Sequence, residues 1–403
     1  MHILYIHQYF NTPEEGGGTR SYEFARKLVK RGHKVSLITA SHLNNSSKKD
    51  EYIEGIHIIY LKVPYSNYMS FKRRFLSFIY FGFRAIFVGI KVKNYDLVFA
   101  TSTPLTVAIP GIILSFLKRV PMVFEVRDLW PKVPIQMEVI KNRLLINILR
   151  WFEIHTYRYS KHIIALSPGM VKGILETGIQ EEKVTMIPNF CNIDFFKPGR
   201  LDHSLLKNLD CNNIPIIAYS GAISYANNVE LIIHTAEKLQ GMNKKVFFAI
   251  AGEGKLKPKL EEYVKVKQLK NVIFLGKINK YEVAELYKRA LFCLVLFKNL
   301  PVLTTNSPNK FFDAISAGKP IITNMNGWIG KLIEKYNIGF SIEPKDDNAL
   351  MNAVIKIINM DKMQIKKMEI NARNLAKDKF DSEDMVLKLE NVFKEVKKNE
   401  HKK

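Results

Sequence analysis

The run 307–320, SPNKFFDAISAGKP, concentrates side chains that could do chemistry. A helix starting near Pro308 sets Lys310 and Asp313 three residues apart on one face. Lys310, entering the first turn behind Pro308 and Asn309, adds its charge to the positive end of the helix dipole, which suits a diphosphate. Asp313, one turn later, can accept two hydrogen bonds from a ribose diol. An exposed i,i+3 salt bridge would use the same spacing. Glycines supply a second ingredient. Ser220-Gly221-Ala222 and Gly252-Glu253-Gly254 each follow an apolar run, and Gly16-Gly17-Gly18-Thr19-Arg20 lies between an apolar run and a helical pattern. Glycine lets backbone approach an anion at a helix N-terminus, although a merely flexible loop would read the same way. The spacing is not GxGxxG, so a dinucleotide cofactor is not expected. In EVRDLWP, 125–131, Arg127 can grip phosphate or carboxylate through its fork, and Asp128 can take a proton from a sugar hydroxyl. Alternatively the two pair with each other and only order a loop.

These segments need strands to end beside them, and the hydropathy pattern supplies strands. Apolar runs at 3–6, 34–39, 56–61, 97–100, 122–126, 163–166 and 184–187 alternate with helical patterns such as 22–31. Punctuation by Pro188, Asn189, Pro198 and Gly199 and a polar stretch to 213 mark a boundary. A second series follows at 216–219, 246–251, 272–275, 292–295 and 320–323, with helices at 229–239 and 281–289. Uninterrupted apolar runs alternating with helices imply parallel sheets covered on both faces. The expectation is an α/β chain of two doubly wound domains, 1–190 and 191–380, with ligands bound outside the carboxyl ends of the strands in a cleft between them. After a break at 377–380, an amphipathic helix at 381–398 is expected to pack back on the first domain.

The composition is that of a globular chain: 403 residues, 47% hydrophobic and 25% charged, which excludes disorder and a multi-spanning membrane protein. The net charge of +23 makes an anionic partner the expectation. Three cysteines, Cys191, Cys211 and Cys293, show no metal-ligand spacing, and their odd number argues against a disulfide framework. The N-terminus carries no secretory signal pattern, and no apolar run is long enough to span a bilayer. The segment FKRRFLSFIYFGFRAIFVGI, 71–90, comes nearest. On a helix, Arg73, Ser77, Arg84 and Lys91 form one polar stripe and the rest is aromatic or aliphatic, which suits either the membrane interface or a buried core helix.

In order, GGGTRSYEFARKLVKRGHKVSLIT, EVRDLWP, ALSPGM, IPNFCNIDFF, YSGAIS, IAGEGKLKPKLE, NVIFLGKI and SPNKFFDAISAGKPIIT run through nearly the whole chain. This ordered set resembles glycosyltransferase family 4, of the GT-B fold, in which two Rossmann-like domains face across a cleft. The GGGTR and RDLWP variants resemble a bacterial surface-polysaccharide branch that includes N-acetylfucosamine transferases. The resemblance implies a retaining, metal-independent enzyme that needs no cofactor beyond its UDP-sugar donor. Gly17, Gly18 and Arg20 in the first domain, and Gly221, Pro308, Asn309 and Lys310 in the second, would hold the diphosphate. Asp313 matches the second acid of an E-x7-E pattern and would hold the ribose, with Glu253 and Ile278 near the base. Lys310, Arg127 and Asp128 would carry catalysis, Arg127 standing where many relatives have a histidine. Two departures accompany the match: Thr305 occupies the first acid of E-x7-E, and GAISYANNVE lacks the usual Arg and Lys.

The branch also implies a polyprenyl-diphosphate-linked saccharide as acceptor, in O-antigen, capsule or related synthesis. The enzyme would sit in the cytoplasm on the anionic inner leaflet, docked through 71–93. No helix-turn-helix, RNP or zinc signature points to nucleic acid as partner. An inactive nucleotide-binding partner subunit and a GT-B sugar-nucleotide epimerase are the alternatives that share the motifs.

Overall fold

A computed structural model describes residues 1–41, 50–64, 69–196 and 214–400. Most of the polar linker, including Cys211, lies outside them. The chain divides into two units, and each has its own sheet.

Unit 1 comprises Met1–Asn11, Thr19–Pro188 and Glu383–Lys403. Its strands are β1 (His2–Ile6), β2 (Lys34–Ser41), β3 (Asp50–Ile53), β4 (Ile56–Lys62), β5 (Leu97–Thr101), β6 (Met122–Val126), β7 (His162–Ala165) and β8 (Val184–Met186). They lie in the order β3-β4-β2-β1-β5-β6-β7-β8. All pairings are parallel except β3 with β4. Alternation of strands and helices does not forecast that hairpin; its signal is Glu54-Gly55, whose positive φ values of 47° and 81° fit the tight turns that match strand twist. The helices are α1 (Arg20–Lys30), α2 (Phe71–Lys91), α3 (Ala108–Lys118), α4 (Lys132–Gln136), α5 (Arg143–Tyr159) and α6 (Pro168–Leu175). β1 and β5 adjoin although the chain visits β2, β3 and β4 between them, so the switch point lies there. β1, β5 and β6 are buried along their whole length, as their apolar runs require.

Unit 2 comprises Thr12–Gly18 and Asn189–Ser382. The glycine-rich loop therefore belongs with the second unit, not with the first 190 residues. Its strands β9 (Ile216–Ser220), β10 (Phe247–Ala251), β11 (Val272–Gly276), β12 (Phe292–Val295), β13 (Ile321–Thr323) and β14 (Gly339–Ser341) form a parallel sheet in the order β11-β10-β9-β12-β13-β14. The helices are α7 (Val229–Gly241), α8 (Lys257–Val266), α9 (Lys280–Arg289), α10 (Asn309–Ser316), α11 (Trp328–Tyr336), α12 (Ala349–Ile358) and α13 (Lys362–Phe380); α14 (Ser382–Glu400) follows and from Glu383 belongs to unit 1. The switch point lies between β9 and β12.

The break expected at 377–380 is helical; α13 runs to Phe380, whose ring packs on Phe312 and Trp328. The chain turns only at Asp381, where Cys191 N donates to Phe380 O and Ser382 N to Cys191 O. α14 then returns to unit 1, where Glu390 pairs with Arg31 and His33, and Glu383 with Lys27. Cys191 and Cys293 are buried free thiols, and burial pushes both well up.

The stripe expected along α2 is only partly polar outside. Ser77 is buried, its hydroxyl donating to Pro64 O at 2.6 Å, and Arg84 reaches the Tyr80 hydroxyl at 2.9 Å. Phe78 and Phe81 face inward while Leu76, Tyr80, Phe83, Phe87 and Ile90 are exposed, so the helix is apolar on both sides.

Candidate functional site

Lys310 lies in the first turn of α10, and its ammonium reaches the switch point of unit 2. Nζ stands 2.8 Å from Asn227 Oδ1, 3.3 Å from Tyr219 Oη and 3.4 Å from Leu296 O, and 4.6 and 4.5 Å from the ring centroids of Tyr219 and Phe297. These partners are neutral. Lys310 is 8% exposed, and burial lowers its pKa to about 7. Among the described residues no carboxylate pairs with this ammonium, and a buried ammonium so placed is unfavourable to fold and receptive to an anion.

Asp313 does not pair with Lys310, so the i,i+3 salt bridge is not formed. Both its oxygens accept from Lys280 Nζ at 2.6 Å, across from α10 to the first turn of α9. Burial raises the Asp313 pKa, and the Lys280 ammonium opposes that rise.

Glycines line the rest of this edge. A Cβ on Gly252 would stand 1.8 Å from Gly221 O, and one on Gly254 2.3 Å from Ile223 O, so the loops after β9 and β10 meet backbone to backbone. A Cβ on Gly221 would stand 3.6 Å from Lys310 Nζ. The 12–18 loop reaches the same edge. A Cβ on Gly16 would lie 2.4 Å from Ile278 O, and Lys280 N donates to Pro13 O at 2.9 Å. Gly16 and Gly17 have φ of 71° and 98°, a region side chains rarely enter, and Gly17 is exposed. Unit 2 thus gathers Gly17, Gly18, Gly221, Ile278, Lys310 and Asp313 along the carboxyl edge of its sheet.

Other expected residues are occupied differently. Glu253 accepts from Lys257 Nζ at 2.5 Å. Pro308 caps α10 and Asn309 opens it, with Ser307 Oγ accepting from Asn189 N at 3.0 Å. Thr305 donates to Val302 O within the 3-10 turn Pro301–Thr305. Arg20, expected at the donor, is engaged within unit 1. Its side chain is 1% exposed in unit 1 and donates to Glu125 Oε1 at 2.8 and 2.9 Å and to the carbonyls of Ile187 and Pro188. Glu125 also accepts from Thr101, completing a buried polar network.

Arg127 and Asp128 follow β6 in unit 1, and they have separate partners rather than pairing. Arg127 Nη1 donates to His7 Nε2 at 3.2 Å, and its backbone N to Ser102 Oγ at 2.9 Å. Asp128 Oδ2 accepts from Thr103 Oγ1 at 2.8 Å. Burial raises the Asp128 pKa while Thr103 and Arg127 pull it down. His7, Ser102 and Thr103 follow β1 and β5, so three adjacent strand ends build this polar cluster.

Sequence reasoning missed Lys280, Asn227, Tyr219, Phe297 and His7. Only Lys280 carried a signal. It opens a helix behind an Asn279–Glu282 capping box, where a cation opposes the helix dipole. Such broken local rules concentrate at sites.

Residues 15–189 match the family model of a glycosyl transferase 4-like domain, and 207–375 that of glycosyl transferases group 1. The chain is 25% identical over 223 residues to WcaI of Escherichia coli strain K12, named for glycosyl transfer in colanic acid biosynthesis, covering 54% of each chain. It is 26% identical over 184 residues to alpha-galactosylglucosyldiacylglycerol synthase of Streptococcus pneumoniae, covering 43% of this chain and 46% of that one. The match therefore spans about half the length of these curated relatives. The fold is shared with sucrose-phosphate synthase of Thermosynechococcus elongatus, at a TM-score of 0.79, 18% identity and 98% coverage of both chains. It is shared also with Anabaena HepE in complex with UDP and glucose, at a TM-score of 0.71, 16% identity and coverage of 98% and 100%.

Proposed function

The chain belongs to the GT-B glycosyltransferases that join a glycosyl transferase 4-like domain to a group 1 domain, and from that premise we propose that it moves a sugar, with retention, from a UDP-sugar to a polyprenyl-diphosphate-linked saccharide. An N-acetylated or deoxy-amino hexose in O-antigen, capsule or related polysaccharide synthesis fits the motif variants best. The polysaccharide role of WcaI by name, and the lipid-linked product named for the pneumococcal synthase, support that direction. UDP in the HepE complex supports the choice of nucleotide.

The observation that carries the reading is Lys310: a buried ammonium among neutral oxygens and aromatic faces, beside a glycine edge open to backbone approach. A donor diphosphate supplies the missing negative charge. As the anomeric bond breaks, charge grows on the leaving oxygen, and Lys310 with the α10 N-terminus stabilises it more than it stabilises the ground state. Gly221, Gly17 and Gly18 give the diphosphate room. Asp313, whose charge the Lys280 ammonium favours against burial, takes the ribose hydroxyls, and Glu253 and Ile278 lie towards the base. Asp128 positions the acceptor hydroxyl, whose proton goes to the departing diphosphate oxygen, and Arg127 stabilises charge nearby. No metal ion or further cofactor enters this scheme. The enzyme would work in the cytoplasm at the inner face of the membrane, docked through 71–93.

Thermal unfolding with UDP, GDP, ADP and CMP, then with a panel of UDP-sugars, all without added metal, tests the proposal. A ligand at about 100 times its Kd adds about 2.7 kcal/mol. A shift with UDP alone, larger with one N-acetylated UDP-sugar, is expected. No shift with any nucleotide would reject it.

A further inference from the structure

Three helices that follow consecutive strands of unit 2 carry a lysine in their first turn: Lys257 opens α8, Lys280 opens α9 and Lys310 is the second residue of α10. A cation there opposes the helix dipole, so each position costs something locally. Lys310 faces the switch point and Lys280 holds Asp313. Lys257 stands apart from both. Its ammonium lies 2.5 Å from Glu253 Oε1 and 3.7 Å from Glu261 Oε1, with its side chain 16% exposed and that of Glu253 39% exposed.

The backbone under this pair is fixed. Ile223 N donates to Glu253 O at 2.9 Å, and Leu256 N donates to Ile223 O at 3.2 Å, so the turn from β10 into α8 is pinned to the loop after β9. An i,i+4 ion pair on a helix surface would carry little meaning by itself. Gly276 sets this one apart. It ends β11 with a φ of 71°. A Cβ on it would stand 3.6 Å from Glu253 Oε1 and 3.9 Å from Lys257 Nζ, and among the described residues no other atom beyond its chain neighbours lies within 4 Å. The strand thus ends on bare backbone, beside an opening that one carboxylate oxygen and one ammonium face.

The place of this opening along the sheet matters. Strands run β11-β10-β9-β12, with Lys310 at the β9–β12 switch point and Gly276 and Glu253 at the ends of β11 and β10. Neighbouring strands are about 4.8 Å apart, so the opening lies about 10 Å along the carboxyl edge from the switch point. A ribose bridges such a distance between a diphosphate and a base.

We infer that Glu253 and Lys257 together read the hydrogen-bonding edge of the donor's base, and that Lys257 is the residue that selects a 4-keto over a 4-amino pyrimidine. This deepens the donor reading and rests on it. An ammonium has three protons and a carboxylate about four acceptor sites, so both keep capacity while bonded to each other. Uracil offers the complement: O4 accepts from Lys257 Nζ, and N3–H donates to the Glu253 carboxylate. Cytosine turns its 4-amino group towards the ammonium and its N3 lone pair towards the carboxylate, which sets donor against donor and acceptor against acceptor. Specificity of this kind comes as much from the repelled base as from the accepted one. Guanine presents the same keto and N–H pair on a larger ring, so the comparison that isolates the edge is between the two pyrimidines.

Calorimetric titration of the full chain with UDP and with CDP, without metal, tests the inference. The wild type should prefer UDP by about tenfold or more, because the bonds involved are charge-assisted. Lys257→Met and Glu253→Gln should each bring the UDP-to-CDP ratio close to one, chiefly by weakening UDP, with the melting temperature of the unliganded protein unchanged. The exchange Glu253→Lys/Lys257→Glu keeps the ion pair but swaps donor and acceptor, and should move the preference towards CDP. Equal binding of UDP and CDP by the wild type would overturn the base reading and leave the donor reading standing. A ratio unchanged in all three variants, even with both affinities lowered, would overturn it too and make the pair a purely structural one. Binding of neither nucleotide by the wild type would overturn both readings together.

Discussion

Lys310 is a liability to the fold and an asset to the site. Its pKa falls to about 7 from the usual 10.5 because burial disfavours the ammonium. A group depressed in this way binds fewer protons folded than unfolded, so its contribution to stability rises with pH from about 7 towards 10. Lys310→Met should therefore raise the melting temperature of the unliganded protein by a few degrees near neutral pH while removing its shift with UDP; a lower melting temperature would show that the ammonium is satisfied without a ligand. Lys280 holds the opposite position. Lys280→Met leaves the Asp313 carboxyl buried without its cation, so its pKa, already raised, rises further. UDP affinity should fall by about tenfold or more, most at low pH where Asp313 is neutral, as measured by titration across pH. Unchanged affinity would remove Asp313 from ribose binding. Lys310 and Asp313 were legible in the sequence as helix-start residues. Their partners Asn227, Tyr219 and Lys280 come from three other segments, and spacing along one helix carries no trace of them.

At the scale of elements, the loop after β1 and the helix that follows it have separate tasks. Gly16 faces the start of α9, whereas Arg20, at the start of the helix after the loop, locks α1 to β6 through Glu125. Motif order blended these roles because they adjoin in sequence. Arg20→Ala strands the Glu125 carboxylate in the core and should cost about 3–5 kcal/mol of stability, measured by denaturant unfolding. The UDP affinity of the folded fraction should stay at the wild-type value; a selective loss of affinity would return Arg20 to the donor site. The parallel strands were legible because their runs are apolar throughout, as two-sided burial demands. Two short edge strands, β3 and β14, were not, since Asp50–Ile53 and Gly339–Ser341 are too short and too polar to show a period. The α13–α14 junction was displaced because its turn is set by pairing with Cys191, far away in sequence.

Across the whole molecule, the formal net charge is +23, and α2, α3 and α5 of unit 1 carry one acidic residue, Glu153, among their basic ones. α14 ties the chain end into unit 1 through Glu390. Burial alone would raise that carboxyl, but hydrogen bonds from Lys394, His33 and Arg31 outweigh it and hold the pKa at about 2. A depressed carboxyl contributes stability above its unfolded value and loses it as pH falls through the folded one. Glu390→Gln should thus destabilise at neutral pH by about 3 kcal/mol, with the difference shrinking between about pH 4.5 and 2; a pH-independent difference would assign the loss to packing. The central claim is that the Lys310 ammonium receives a nucleotide diphosphate. Calorimetric titration of UDP into wild type and Lys310→Met, without metal, at about pH 6 and about pH 8.5, tests it most directly. The wild type should bind more tightly than the variant by a ratio that is largest at the lower pH and falls by about tenfold at the higher, as Lys310 loses its proton. Equal affinities for the two proteins at both pH values would contradict the account.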